Sequence, residues 1–311
     1  MAERLLVTGA TGLVGRHVVQ AALDQGRVVV AVTSDPARAG AVAGADWRAA
    51  DLLAPGAAGR LIQEVRPTRV VHAAWDTRHG IYWNSESNRD WLAATAAMAR
   101  EFGRAGGRRF VLAGTCAEYD WSAGEMVEGE TPERPHTLYG RCKLAAHHAV
   151  QEAAEAGGFS AVTARVFFCY GPFENPQRLI PYACRTLAAG GTPRLTSGRQ
   201  VRDLLHAEDA ASALLALADS DLGGAVNLGS GAPTPLSRVA RILAEAAGAP
   251  ERAGLGSAPD RPDDPPVLVP RVERLFGLGW RPRRTLEDGL RTTYAWWAER
   301  ADSAGDRAAP S

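Results

Sequence analysis

The sequence predicts an α/β protein: a doubly wound parallel sheet of Rossmann type with a smaller C-terminal α/β lobe for substrate. Two observations carry this prediction. Apolar, β-branched segments alternate with helical patterns through the first two-thirds of the chain, and a glycine-rich loop joins the first strand pattern to the first helix pattern. Continuous apolar strands of this kind are typical of a parallel sheet that helices cover on both faces.

The predicted elements follow one another in a regular order. Strand patterns lie at 4–8, 28–32, 69–73, 109–113, 162–168 and 225–229. Helical patterns lie at about 12–25, 57–65, 86–105, 138–156, 177–190, 206–219, 235–247 and 285–300. Gly-Pro, Asn-Pro and Ile-Pro pairs appear after residue 170, and they indicate that the architecture changes there.

This change of pattern suggests a division of the chain. We expect a Rossmann dinucleotide-binding domain made of 1–168 and 201–228. A substrate-binding lobe would then consist of 169–200 and 229–300, followed by a disordered tail at 301–311 whose composition is small and polar.

Composition excludes several classes of partner. The 35 Lys and Arg residues balance 35 Asp and Glu residues, so no net charge favours nucleic acid or an anionic membrane. No apolar run approaches the ~18–20 residues that span a bilayer. The cysteines are scattered and form no C-x-x-C pair, so we expect reduced thiols in a cytoplasmic protein.

The segment LLVTGATGLVGRHVV, residues 5–19, places three glycines directly between a strand and a helix. Gly9 permits a tight turn, Gly12 lets backbone N–H groups approach a pyrophosphate, and Gly15 lets the helix pack closely on the sheet. In the first strand–turn–helix of an alternating series, this pattern predicts dinucleotide binding. A glycine turn that binds no ligand is the alternative.

The spacing of these glycines, G-x-x-G-x-x-G, resembles that of the extended short-chain dehydrogenase/reductases, the NAD-dependent epimerase/dehydratase group. Asp51-Leu52, the strand end VVHAAW at 70–75 and Asn88 match further family motifs in order. The resemblance covers nearly the whole chain and implies a Rossmann domain with a small C-terminal lobe. It also implies that the cofactor is contacted by Gly9, Thr11, Gly12, Leu13, Val14, Gly15, Asp51, Leu52, Ala73, Ala74, Trp75, Asn88, Tyr139, Lys143 and Phe167.

The end of the second strand decides which nicotinamide cofactor fits. An acid there binds both ribose hydroxyls of NAD and repels a 2′-phosphate, and in the family that acid falls at Thr33. Thr33, Ser34 and Arg38 can instead hold the phosphate of NADP, whereas Asp35 favours NAD. We expect NADP, with NAD as the alternative.

Tyr139 and Lys143 are four residues apart on a predicted helix, so their side chains share one face. Lys143 is the only lysine in the chain, and Thr115 follows a predicted strand. The resemblance aligns these three residues with the family's Ser/Thr-Tyr-Lys triad. A tyrosine titrates near ~10 in water, and a neighbouring ammonium would lower that pKa by stabilising the phenolate. A chance Tyr-x-x-x-Lys on a surface helix is the alternative.

The residues after Thr115 limit which of the family's reactions we expect for this chain. Glu118 lies one place out of register with the acidic pair of the sugar-nucleotide 4,6-dehydratases, so dehydration is not expected, and a decarboxylase is weakened too. Cys116 and Phe173 do not match the cysteine and histidine of the GDP-fucose synthases, so epimerisation by that route is unsupported. Hydride transfer alone remains.

Three functions stay open. The leading hypothesis is an NAD(P)H-dependent reductase of a nucleotide-linked keto-sugar, at C4 of a 4-keto-6-deoxyhexose, in sugar or natural-product biosynthesis, with Tyr139 as proton donor. The second is a nucleotide-sugar 4-epimerase that retains NAD. The third is a dinucleotide-sensing protein without turnover, although such proteins tend to lose the tyrosine and lysine that are present here.

The second half of the chain resembles the family's nucleotide-sugar segments at 170–181, 201–209 and 226–231. The resemblance implies that Leu179 lies on the base and that Asn227 caps the diphosphate. Arg202 and Arg261 would pair with the same diphosphate, which needs fixed guanidinium groups.

Two features of this half depart from the family or stay open. The asparagine that the family carries before residue 170 is missing, since the run there is Phe167-Phe168-Cys169. Trp75 and Cys116 are candidate substrate contacts, but either can equally be a packing residue, as can Tyr82 and Trp83.

Two Ala-rich helices, 86–105 and 138–156, match the family's four-helix dimer interface, so the resemblance implies a homodimer. Small residues also suit packing on the sheet. His147 and His148 have no ligand partner at metal spacing, so we expect no metal site.

Overall fold

The structure, a computed structural model, describes residues 3–305. Its strands are β1 Arg4–Thr8, β2 Val28–Thr33, β3 Asp46–Ala49, β4 Arg69–His72, β5 Arg109–Thr115, β6 Glu125–Met126, β7 Ser160–Val166, β8 Phe168–Tyr170, β9 Val201–His206, β10 Gly224–Leu228, β11 Pro233–Pro235 and β12 Val267–Pro270. Its α-helices are α1 Leu13–Asp24, α2 Ala57–Val65, α3 Ser87–Arg104, α4 Leu138–Gly157, α5 Leu179–Ala188, α6 Ala207–Ala218, α7 Leu236–Ala246, α8 Glu273–Phe276 and α9 Leu286–Gly305.

A seven-stranded sheet forms the larger part of the molecule, in the order β10-β7-β5-β4-β1-β2-β3. Every neighbouring pair in it is parallel. The strand order reverses between β1 and β4, which is the point where ligands bind in open α/β sheets. The predicted Rossmann-type α/β fold is therefore confirmed.

Alternation along the strands gives this sheet two apolar faces. In β1, Leu5 and Val7 belong to one buried cluster, which includes Val18 of α1 and Leu214 of α6. Leu6 belongs to the other cluster, which is formed with α2, α3 and α4. Helices therefore cover both faces, as continuous apolar strands require.

The smaller lobe is built around a second sheet, in the order β11-β9-β12-β6, with β8 paired to β9. Helices α5, α7 and α9 pack against one another through a separate apolar cluster, to which Ile180, Leu243 and Leu290 belong. Residues 201–206, assigned from sequence to the Rossmann domain, form β9 in this second sheet. The chain returns to the first sheet through α6 and β10, so it crosses between the two sheets at 206–207.

The short strands outside the predicted patterns and the C-terminal end differ from the sequence expectation. β3 was not predicted because its four residues, DWRA, form a half-exposed edge strand without an apolar run. Helix α9 continues to Gly305, so the segment expected to be a disordered tail begins inside a helix, while 306–311 lie outside the described residues. Among the helices of residues 3–305, none is long and apolar enough to cross a membrane.

Candidate active site

The glycine loop between β1 and α1 is shaped by close backbone contacts. A Cβ on Gly15 would lie 2.1 Å from the carbonyl oxygen of Gly9, and one on Gly9 would lie 2.7 Å from that of Ala73. Gly9 also has φ +65°, and the Gly12 N–H donates to its carbonyl at 2.9 Å. The loop therefore brings the N-terminus of α1, at Leu13 and Val14, to the end of β1, where its N–H groups can hold an anion.

Two arginines lie beside this loop. Arg38, after β2, donates to the carbonyl of Thr11 at 2.6 Å. Burial lowers the pKa of Arg16 in the first turn of α1, and the nearby charge of Arg38 lowers it further. Within residues 3–305, neither guanidinium has a carboxylate within salt-bridge distance. The pair thus leaves positive charge unmatched next to the predicted pyrophosphate position.

The other residues predicted to bind the adenosine end of the cofactor differ in exposure and in hydrogen bonding. Thr33 is 4% exposed, and its hydroxyl accepts from the Asp35 N–H at 3.1 Å. Ser34 and Asp51 are exposed, whereas Leu52 is buried in the core. The Asp35 carboxylate caps the following turn by accepting from Ala37 N–H, so it is engaged locally.

A buried hydrogen-bond chain holds the end of β4. The Thr95 hydroxyl donates to the carbonyl of Trp91 at 2.8 Å, so it accepts from Nε2 of His72 at 2.9 Å. The Nδ1 atom of His72 must then accept from the Thr8 hydroxyl at 2.7 Å, which itself accepts from Ala74 N–H. Burial and the charge of Lys143 lower the pKa of His72 to about 3, so the ring is neutral.

Helix α4 begins where it can present the catalytic pair. The Thr137 hydroxyl caps it by accepting from Gly140 N–H at 3.1 Å. A Cβ on Gly140 would lie 2.2 Å from the carbonyl of Ala117, so only glycine lets this first turn pack on the segment after β5. Tyr139 is thereby held beside Thr115 at the carboxyl end of the central strand β5.

Tyr139 sits within a group of aromatic rings. The rings of Tyr82, Trp83 and Trp75 lie 5.0, 5.7 and 6.3 Å from it, centroid to centroid, each in an edge-on arrangement. Burial raises the pKa of Tyr139, and a hydrogen bond from the Thr115 side chain opposes that rise. The sequence analysis predicted a lowered pKa for Tyr139, whereas its pKa in the structure is raised. Burial has a larger effect than the hydrogen bond, so the phenol is protonated at neutral pH.

Lys143 is 4% exposed and lies below Tyr139 on the same helix face. Its Nζ donates to the carbonyl of Ala113 at 2.8 Å and lies 6.0 Å from the centroid of the Tyr139 ring. Burial lowers the pKa of Lys143 to about 7, against the opposing charge of Glu118.

Glu118 is fully engaged beneath the site, which the sequence did not show. One carboxylate oxygen accepts from Thr115 N–H at 2.8 Å, and the other accepts from Nε of the buried Arg165 at 2.8 Å. Arg165 also donates to Glu133 at 2.5 Å. Within the described residues, both oxygens of the Glu118 carboxylate are therefore occupied by other partners.

Three residues assigned to ligands from family motifs have partners within the protein. Asn88 is 1% exposed: its amide oxygen accepts from the Trp75 indole, and its nitrogen donates to the carbonyls of Tyr82 and Ser85. Asn227 is fully buried and bonded to Tyr119, Met126 and Arg271. Phe167 packs in an apolar cluster.

The remaining substrate candidates lie in the smaller lobe. Leu179 opens α5, is 39% exposed and lines an apolar cavity with Leu195 and Leu255. Arg202 is 4% exposed and donates to the Asp264 carboxylate at 2.5 Å. Asp264 N–H in turn donates to the carbonyl of Arg261, whose side chain is exposed. A diphosphate at Arg202 would therefore compete with Asp264.

Cys116 follows Thr115 and is 6% exposed in the same apolar cluster as Phe167. Burial raises the pKa of its thiol to about 12, so the group is a neutral packing residue at neutral pH. Within the described part of the chain, no three His, Cys, Asp or Glu side chains gather where they could hold a metal ion.

A parallel sheet with a glycine loop at its switch point, next to a Thr, Tyr and Lys at the end of β5, defines a dinucleotide-dependent enzyme of the short-chain dehydrogenase/reductase type. The chain belongs to the NAD dependent epimerase/dehydratase family, whose model matches residues 5–229.

Known proteins similar to this chain fall within that family. UDP-glucose 4-epimerase from Azospirillum brasilense is 29% identical over 99% of this chain and 95% of its own length. The dTDP-6-deoxy-L-talose 4-dehydrogenase (NAD(P)(+)) of Kitasatospora kifunensis is 31% identical over 93% of each chain. The crystal structure of UDP-glucose 4-epimerase from Thermus thermophilus in complex with NAD has a TM-score of 0.78 and 26% identity, covering 94% of this chain and 98% of that one.

Proposed function

We propose that this protein is an NAD(P)H-dependent reductase of a nucleotide-linked keto-sugar, acting at the C4 ketone of a 4-keto-6-deoxyhexose. The observation that carries the proposal is the position of Tyr139. Its buried phenol lies beside Thr115 at the end of β5, where it can give a proton to a new oxyanion.

The residues of the glycine loop fit the dinucleotide. Glycine at positions 9 and 15 lets the loop and α1 pack closely on neighbouring backbone, and the N-terminus of α1 provides N–H groups for the pyrophosphate. Arg38, which follows β2, supplies positive charge without a carboxylate partner in the described residues, and this favours the 2′-phosphate of NADP. The NAD-bound Thermus relative supports NAD as the alternative.

The chain's own residues would divide the work of reduction. When bound, the reduced nicotinamide supplies the hydride. Thr115 holds the ketone oxygen by a hydrogen bond, and Tyr139 gives its proton to that oxygen as negative charge develops. Lys143 then stabilises the phenolate left on Tyr139 and can hydrogen-bond a ribose hydroxyl. The aromatic rings around Tyr139 exclude water from the reacting atoms.

Two candidate reactions have support among the relatives. The Kitasatospora enzyme is named as a dehydrogenase at position 4 of a dTDP-linked 6-deoxysugar, and the reverse of that oxidation is the proposed reduction. A nucleotide-sugar 4-epimerase is the second candidate, because two of the similar proteins carry that name. In an epimerase, Tyr139 would first take a proton from the sugar hydroxyl and later return one, so the same residues would serve both reactions.

One assay distinguishes the two reactions. The protein is incubated with NADPH or NADH and a panel of dTDP- and UDP-linked 4-keto-6-deoxy sugars, and the absorbance of the reduced cofactor is followed. A reductase consumes cofactor in proportion to sugar. Interconversion of UDP-glucose and UDP-galactose without net consumption, with NAD retained through purification, would establish the epimerase instead. Tight cofactor binding with no reaction on any sugar would indicate a dinucleotide sensor.

A homodimer remains part of the proposal. Helices α3 and α4 pack against each other through small residues, and both keep partly exposed side chains on their outer surface. Light scattering of the purified protein tests this: a mass of about twice the 32.9 kDa chain supports the dimer, and the monomer mass overturns it.

A further inference from the structure

The ammonium of Lys143 lies on the face of a tryptophan. Its Nζ is 3.9 Å from the centroid of the Trp75 ring, well inside the range over which a cation is attracted to an indole face. The Ala113 carbonyl accepts one of its hydrogen bonds, and the side chain is 4% exposed. Because Lys143 is almost closed to solvent, the Trp75 ring face is one of the main neighbours of its ammonium.

Trp75 is itself fixed in place. Its indole N–H donates to the amide oxygen of Asn88 at 2.8 Å, and the Asn88 nitrogen donates to the carbonyls of Tyr82 and Ser85 at 2.7 and 2.8 Å. The ring of Trp91 stacks on Trp75 at 6.1 Å with an interplanar angle of 26°. Both polar atoms of the Asn88 amide thus hold Trp75 and the segment at 82–85 in place. This role accounts for the burial of Asn88.

The other groups that face Lys143 do not take the place of the Trp75 indole as a partner of its ammonium. Glu118, from the segment after β5, is the acidic neighbour, but its two oxygens are bonded to Thr115 N–H and Arg165. His72, on β4, is neutral because both its ring nitrogens are used. Tyr139, on α4, is a neutral phenol whose ring centroid lies 6.0 Å away.

We propose that Trp75 is a positioning residue for Lys143: its indole face, locked by Asn88, holds the ammonium in its place beneath Tyr139. The part of this inference that concerns turnover rests on the proposed function. The contact between Trp75 and Lys143 can be tested without any substrate, so the positioning role and the proposed function can fail independently.

The single lysine makes a direct measurement possible. Protein labelled with 13Cε-lysine gives one side-chain methylene signal, and that signal belongs to Lys143. We expect its Hε protons to be shifted upfield by the ring current of the indole. The pH titration of the same signal reports the pKa of Lys143.

Substitutions at Trp75 should change this titration in a graded way. Loss of a desolvated cation–π contact lowers the midpoint by about one pH unit in Trp75→Leu, and by less in Trp75→Phe, which keeps a weaker ring face. Trp83→Leu is the matched control, because Trp83 contacts Tyr139 but has no described contact with Lys143. The control should leave both the Hε shift and the midpoint at their wild-type values.

Several outcomes would overturn the inference. An Hε signal at the ordinary lysine position in the unmodified protein excludes the stacked geometry, whatever the variants do. A midpoint in folded Trp75→Leu that is equal to or above that of the wild type excludes stabilisation by the indole. If Trp75→Leu does not fold, Trp75→Phe and the wild-type signal still decide the question.

The kinetic readout is the alkaline limb of the pH profile. If Lys143 must be protonated for turnover, the rate falls as the pH rises through its pKa, and Trp75→Leu moves that fall to lower pH by the same interval as the NMR midpoint. An unmoved limb contradicts a role in positioning. Absence of turnover on every nucleotide sugar would refute the proposed function and leave the titration result standing.

Discussion

At the scale of single residues, the pocket around position 143 explains why a chain whose other basic residues are all arginine has a lysine there. The Nζ atom fits between the Ala113 carbonyl and the Trp75 face, in a space that is almost closed to solvent. A guanidinium is broader, planar and on a longer stem, so it cannot take both contacts.

Lys143→Arg is therefore expected to lose most activity while keeping the charge. We expect kcat to fall by about 10²-fold or more, since misplacement of a catalytic group by about 1 Å has that cost. The measurement is turnover of the best substrate, with the melting temperature as a check on folding. As a control, Arg141→Lys changes an exposed residue of the same helix and should keep the wild-type rate. Equal rates for both variants would show that position 143 carries no special geometry.

Tyr139→Phe tests the assignment of the proton donor. Removing the hydroxyl should lower kcat by about 10²–10⁴-fold while the affinity for cofactor changes little, because the ring keeps its packing against Tyr82 and Trp83. Cofactor binding is followed by fluorescence and turnover by absorbance. A variant that turns over at a near-normal rate would require another donor.

At the scale of elements, Gly12 and Gly15 of the loop have the different roles that the sequence pattern predicted for them. Gly15 has to be glycine because its Cβ would meet the Gly9 backbone at 2.1 Å, so the loop and α1 could not both stay in place. Gly12 has φ −78° and its Cβ would meet the Gly9 carbonyl at 3.2 Å, so a methyl group fits with a small adjustment.

Replacing each glycine by alanine should distinguish these roles. Gly15→Ala is expected to lower both the free energy of unfolding, by about 1–3 kcal/mol, and the affinity for cofactor. Gly12→Ala should unfold much like the wild type but bind the dinucleotide about tenfold more weakly, because the methyl group faces the pyrophosphate. Urea unfolding and a cofactor titration measure the two effects. Equal losses of stability would show that the close approach at Gly15 is not limiting.

The elements that could be predicted from sequence are those with long apolar patterns. The bounds of β1 and α2 match the patterns at 4–8 and 57–65, because both depend on regularly spaced core residues. β9 was missed because a charged pair, Arg202-Asp203, interrupts it, and the Asp203 carboxylate is buried by accepting three backbone N–H bonds from residues 230–232. The hydrophobic pattern of a single strand does not indicate a hydrogen-bond partner that lies in another segment.

The same limit applies to the site. Spacing brought Tyr139 and Lys143 together, because residues four apart on a helix are always neighbours. The contact between Glu118 and Arg165 joins positions 47 residues apart and leaves no local signal. A motif gives the position of a side-chain amide but not its hydrogen-bond partner. Asn88 and Asn227 were assigned to ligands from such motifs, and in the structure their side chains form hydrogen bonds with other residues of the protein.

At the scale of the whole molecule, the Glu118–Arg165 pair connects the segment after β5 with β7 at the base of the site. Both side chains are fully buried, so removing Arg165 leaves the buried Glu118 carboxylate without its ion-pair partner. Arg165→Met should lower the free energy of unfolding by about 3–5 kcal/mol, and adding Glu118→Gln should restore part of the loss.

An exposed ion pair serves as the matched control for that prediction. Arg48 and Asp46 are each half-exposed, so Arg48→Met should change stability by less than about 1 kcal/mol. Urea unfolding of the variants gives the comparison. If Arg165→Met and Arg48→Met behave alike, the buried pair does not hold this part of the molecule together.

The solitary lysine also gives the protein a single point of attack for a protease that cleaves after lysine. The bond after Lys143 lies in the second turn of α4, and the side chain that the protease must recognise is buried. Cleavage can occur only when this helix opens, so the rate at which fragments 1–143 and 144–311 form reports the local opening of the catalytic helix. A bound dinucleotide that contacts the same helix should slow this cut while leaving the cleavage of exposed arginyl bonds by trypsin largely unchanged.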